Sequence, residues 1–207
     1  MALNTVSDSK QAFYQEFPFV IPDIFRKVVD EMLVELHLLN HKKEFKPDHL
    51  FSIGLIKAFD DLTNGYKPRE HLEILFNAIC NCNGVDPTKI QSYSKKGLEQ
   101  LKGIKLEEIK NIKSISELNI DLLNETGIIY SRISLIGLYN VVCKIEQEDP
   151  SKEVDSNDTI TITLAKLLGF QEDRVEKDLS VYISSVDKIK QSLELIKLIN
   201  QKSKSDK

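Results

Sequence analysis

The chain is predicted to be all-α: a single helical bundle of about seven to nine helices ending in a long, coiled-coil-like C-terminal helix. Three observations predict this. Apolar residues recur at three- and four-residue steps through most of the 207 residues, the period of a helix that buries one face. Asn-Gly, Asp-Pro and single Pro residues punctuate that pattern where helices would stop and start. Residues 159–164 alternate like a strand, but a strand there would have no partner.

The elements follow in order. Ser7 or Asp8 can cap a short helix through Phe17, and Pro18 ends it because the residue before proline is pushed out of helical geometry. Pro22 then begins a long helix to about Asn40. In it Phe25, Val28, Val29, Met32, Leu33, Leu36 and Leu39 form one broad buried stripe, beside a polar face of Arg26, Lys27, Asp30, Glu31, Glu35 and His37. Asp48 opens a helix with Phe51, Leu55, Ala58, Phe59 and Leu62 inward, and Asn64-Gly65 stops it. Pro68 starts another, carrying Leu72, Leu75, Phe76 and Ile79 and terminated by Asn83-Gly84. Asp86-Pro87, a cap followed by a first-turn proline, opens a fifth helix to about Lys102.

From Gly103 to Gly127 the apolar pattern is broken, as expected of short helices and turns. Ile128 to Glu146 reads as helix. The acidic run from Glu146 to Asp158 cannot bury enough apolar surface to repay its ordering entropy, so a loop is expected. Thr159 to Leu164 is assigned to a helix because Leu164, Leu167 and Leu168 precede Gly169. The last helix, from about Glu172 to Gln201, carries a heptad seam of Val175, Leu179, Tyr182, Val186, Ile189, Leu193, Ile196 and Asn200. At roughly 45 Å it is longer than a bundle of this size needs. The expected organisation is a helical bundle over 1–147, an acidic linker or loop over 148–158, and C-terminal helices over 159–207, the last able to project. Gly54 and Gly137 interrupt helical stripes at a cost of about 1 kcal/mol each, which close helix crossing would explain.

A resemblance covers most of this pattern. Thr5 to Tyr14 and Arg26 to Leu39 are similar to the opening of the thylakoid formation proteins, also called photosystem II biogenesis proteins of the 29 kDa type. The likeness continues through Phe45, Asp48, Phe51, Gly54, Phe59-Asp60, Gly65-Tyr66, Pro68, Phe76, Ala78, Cys80 and Asp86-Pro87. It resumes at Tyr130-Ser-Arg-Ile, Ile136 to Tyr139, and Arg174 to Leu179 with Tyr182. The family usually has Tyr, Leu and Pro where this chain has Phe25, Met32 and Val20. The resemblance implies a non-catalytic accessory protein of thylakoid biogenesis and photosystem II repair. It would support accumulation or regulation of an FtsH-type membrane protease from the cytoplasmic side of the thylakoid membrane, with peripheral attachment.

Composition is consistent with that. A net charge of −4 repels phosphate backbones, so no nucleic-acid partner is expected. No apolar run approaches the ~20 residues of a spanning helix, and the N-terminus has the layout of neither a secretory signal nor a transit peptide. Three cysteines, Cys80, Cys82 and Cys143, fit reduced thiols rather than a disulfide framework. Oligomeric state is left open.

No phosphate-binding loop, nucleophile elbow or local Ser-His-Asp signal occurs, and no catalytic residue, cofactor or metal is assigned. His37 and His41 have metal-ligand spacing but no evident further ligands. For contact with a partner the candidates are Arg174, Glu176, Lys177, Asp178 and Tyr182, with Asp30, Glu31 and Glu35 as a second set. Two other functions compete: a peripheral scaffold acting on thylakoid lipids or vesicles through the Lys-rich end at 197–207, and a metal-dependent enzyme hidden in the bundle.

Overall fold

The computed structural model describes residues 5–102, 104, 129–148 and 157–205. These form eight helices and no strand: α1 (Val6–Glu16), α2 (Asp23–Asn40), α3 (His49–Leu62), α4 (His71–Asn81), α5 (Pro87–Gln100), α6 (Arg132–Glu148), α7 (Asn157–Leu167) and α8 (Glu172–Ser205). The all-α expectation holds, as does the long C-terminal helix. The short helices expected between 103 and 127 fall outside the described residues, apart from Ile104.

Helix starts follow local capping chemistry, with three shifts from the expected positions. The cap of α1 is Thr5 rather than Ser7 or Asp8. The Thr5 hydroxyl accepts from the Asp8 amide at 3.2 Å, and the Asp8 carboxylate accepts from the Thr5 amide at 2.8 Å. Asp8 is therefore the third-position half of a capping box. Helix α4 begins at His71, after a turn in which the His71 amide donates to the Pro68 carbonyl at 3.2 Å and Leu72 to Arg69 at 3.0 Å. Pro68, preceded by a cis peptide bond, belongs to that turn. Helix α6 begins at Arg132 because Ser131 caps it, its hydroxyl accepting from the Ser134 amide at 2.9 Å.

Asp48 and Asp86 cap as expected. Asp48 accepts from the Phe51 amide at 2.7 Å, and Asp86 from the Thr88 and Lys89 amides at 2.9 and 3.3 Å. The acidic run is helical at both ends: Glu146 to Glu148 complete α6, and Asn157 and Asp158 open α7.

Two apolar clusters result. One joins α1, α2 and α4 around Phe13, Phe17, Phe25, Leu33 and Leu36; the other joins α3, α6, α7 and α8 around Leu50, Ile53, Val142, Leu164, Val175 and Leu179. Helix α3 contributes to both. It crosses α6 with backbones in near contact: a Cβ on Gly54 would lie 1.8 Å from the Ile133 carbonyl oxygen, and one on Gly137 would lie 2.1 Å from that of Leu50. The two glycines expected to mark a close crossing therefore mark the same one.

The heptad seam of α8 closes on the chain's own bundle. Val175, Leu179, Tyr182 and Ile189 are buried, and Val186 and Leu193 half-buried. The seam ends there. From Glu194 to Ile199 every residue is exposed.

Candidate functional site

The polar face of α2 and the first turns of α8 face one another across an open groove of ≈ 1050 Å³. Its walls include Asp30, Glu31 and Glu35 from α2, Arg174, Lys177 and Asp178 from α8, and Tyr130 and Arg132 at the entry to α6. Six of the eight contact residues expected from the sequence, drawn from both sets, thus share one surface.

Two paired contacts organise the groove. The Arg132 guanidinium meets the Glu35 carboxylate at 3.0 Å, and the Glu35 side chain is only 19% exposed. Burial pushes that carboxyl above its ordinary range; Arg132 pulls it back down, and the Asp178 carboxylate nearby pushes it up again. On the opposite wall the Tyr130 hydroxyl donates to Asp178 at 2.7 Å. The Arg174 guanidinium lies 4.3 Å above the centre of the Tyr130 ring, a cation–π contact. The ring packs against Phe170 in a T-shaped pair, with centroids 4.9 Å apart. Burial, followed by the bond to Asp178, raises the phenol's pKa, so Tyr130 is a neutral donor. At the α1 edge Lys10 pairs with Asp30 at 2.8 Å, while Lys27 and Glu31 form an exposed pair at 3.8 Å. These are anchored charges of both signs on a concave surface, suited to holding a complementary polar partner.

Two of the expected contacts lie elsewhere. Glu176 is exposed on another face of α8, beside Ile162 and Ser180. Tyr182 is 7% exposed within the second apolar cluster. Its hydroxyl donates to Asp61, which also accepts from Lys57 at 2.7 Å, so it fastens α8 to α3. Its place in the heptad seam, not its nearness to the polar run at 174–178, determined where it went. Conversely, Tyr130 and Arg132 were not among the expected contacts. The only signal was the Tyr130-Ser-Arg run, which the family likeness noted without a role.

His37, His41, Cys80 and Cys82 are engaged within the bundle. His37 is buried and shares a hydrogen bond with the Ser9 hydroxyl at 2.9 Å; its ring lies 4.1 Å from that of His41, whose Nδ1 bonds the His37 carbonyl at 2.8 Å. Burial, with His41 adding to it, holds His37 below the usual histidine pKa. Burial pushes the Cys80 and Cys82 thiols up to about 12. Among the described residues no group of three or more His, Cys, Asp or Glu side chains could hold a metal ion, and no helix is long and apolar enough to cross a membrane.

Fold and site together define an all-helical protein with an ion-paired polar groove between its second and last helices. Comparison with known proteins gives the family: the chain belongs to the thylakoid formation protein family, whose model matches residues 5–207. It is similar to Protein Thf1 of Prochlorococcus marinus strain NATL1A, at 48% identity over 200 residues covering 97% of this chain and 98% of that one. It is also similar to Protein Thf1 of Prochlorococcus marinus subsp. pastoris strain CCMP1986 / NIES-2087 / MED4, at 41% identity over 204 residues, 98% of this chain and 96% of that one. A solved structure of Psb29 at 1.55 Å matches with a TM-score of 0.75 and 31% identity, covering 98% of each chain.

Proposed function

We propose that this chain is a non-catalytic accessory protein of thylakoid biogenesis and photosystem II repair. In this reading it supports the accumulation or regulation of an FtsH-type membrane protease, held peripherally on the cytoplasmic side of the thylakoid membrane. The observation that carries the reading is the family match from residue 5 to residue 207, with near full-length similarity to Thf1 proteins. The groove between α2 and α8 supports it physically. Arg174 and Lys177 lie on exposed turns, while Glu35 and Asp178 beneath them are fixed by Arg132 and Tyr130. A docked partner would meet a largely preformed polar surface, which limits the side-chain ordering that binding costs.

The test compares the abundance of the FtsH-type protease in photosynthetic cells lacking the gene, in cells with it restored, and in cells restored with Arg174→Glu plus Lys177→Glu. Protease levels should fall on deletion and recover with the native gene. The double variant should accumulate normally itself and fail to restore the protease. Unchanged protease levels on deletion would refute the function; full rescue by the double variant would remove the groove from it.

A further inference from the structure

We propose that the distal part of α8, from Lys188 to Gln201, lies on the surface of an anionic lipid bilayer. The proposal rests on the peripheral attachment put forward above and names the segment and lipid class responsible. Leu195, Ile196, Leu198 and Ile199 are 60%, 41%, 55% and 63% exposed. At about 100° per residue they occupy one sector of about 160° around the helix. That sector is centred away from the buried seam of Val175, Leu179, Tyr182 and Ile189, so the bundle leaves it uncovered.

Charge selects the occupant. Residues 188–207 carry six lysines against two acidic residues, Glu194 and Asp206, a local excess of +4 in a chain whose net charge is −4. Lys197 and Lys190 are exposed on the side of the helix opposite the apolar sector, Lys190 in a solvent-exposed pair with Asp187 at 3.8 Å. An amphipathic helix with lysines on its polar face has the composition of an interfacial helix, which sinks its apolar side to the level of the acyl boundary while cations meet anionic headgroups. A second copy of the chain is a poorer occupant because two such segments would bring like charges together. The rest of the molecule, at −8, is repelled by the same headgroups. That repulsion favours contact through the tip of α8 alone.

The test is flotation of the purified full-length chain, without other proteins, on two kinds of vesicle: one part phosphatidylglycerol to two parts phosphatidylcholine, and phosphatidylcholine alone. The chain should float with the anionic vesicles, lose that binding at high salt, and bind the zwitterionic ones at least tenfold more weakly. Leu195→Ser with Ile199→Ser should lower binding about tenfold or more. Lys188→Gln, Lys190→Gln and Lys197→Gln should each lower it by up to about fivefold. All of these positions are exposed, so unchanged circular dichroism and thermal midpoints will show that the fold is intact. Failure to float with anionic vesicles, equal binding to both kinds, or variants that bind like the native chain would overturn the proposal. Sedimentation showing a dimer that Leu195→Ser dissociates would overturn it in favour of a second copy. Because only lipid and purified chain are present, these outcomes are read separately from protease abundance in cells.

Discussion

Replacing Gly54 with alanine offers a test in which the sign of the effect is decisive. In a helix interior with free space, alanine is favoured over glycine by about 1 kcal/mol. At Gly54 the added Cβ would sit 1.8 Å from the Ile133 carbonyl oxygen and 2.7 Å from the Gly137 amide nitrogen. Ordinary contact begins at 3.4 Å, so α3 and α6 would have to separate by about 1.6 Å. The obstructing atoms are backbone, and no rotamer change can relieve them. Overpacking of this kind costs about 3 kcal/mol or more where backbone must move, so the net loss after the propensity gain is about 2 kcal/mol or more. For a chain of this length that lowers the thermal midpoint by about 4–8 °C. Urea and thermal unfolding followed by circular dichroism would measure it. Gly169→Ala is the comparison: its φ of +79° penalises alanine, yet nothing lies within 4 Å of the added carbon, so about 1 kcal/mol is expected. A Gly54→Ala protein as stable as the native chain, or more stable, would refute the close-crossing account.

Three further outcomes are expected. Glu35 is held above its ordinary pKa of 4.5, so the folded state binds its proton more tightly than the unfolded chain does. The resulting stability is present at low pH and is lost as pH rises through the raised value. Arg132→Gln should deepen that loss and move it upward, while Glu35→Gln should abolish it; urea midpoints across the mildly acidic range would show both effects. His37, held below its ordinary 6.5, gives the opposite slope. Its contribution is intact above that value and is lost as pH falls through the lowered one, and His37→Gln should flatten this part of the stability profile. Cys80 and Cys82, with thiols near 12, should resist iodoacetamide in the native protein at mildly alkaline pH and react on unfolding in urea; peptide mass spectrometry would locate the adducts.

Much of the architecture was legible because its causes are local. Asp48, Asp86 and Gly169 bound helices through hydrogen bonds and φ values fixed within a few residues of themselves. The helix at 159–164 could be preferred to a strand from its leucines and the following glycine. Thr5 and Ser131 were missed as caps although their chemistry is equally local. In α1 the competing Ser7 and Asp8 lay nearer the apolar pattern, and in α6 that pattern already began at Ile128. Six of the eight expected contact residues line the groove, but as two unconnected sets, since nothing in either helix specifies that it faces the other.

The sequence by itself determined the helical period, most helix boundaries, the two glycines of the crossing and the amphipathic character of α8, because each depends on backbone geometry over a turn or two. Only the tertiary structure decided that the α8 seam closes on its own bundle and stops after Leu193, leaving Leu195 to Ile199 exposed. It also decided that Arg132 meets Glu35 and Tyr130 meets Asp178. A period of 3.6 residues dictates which side chains share a face. Which faces meet depends on the simultaneous fit of all the helices around two apolar clusters, and that condition is not local to any one of them.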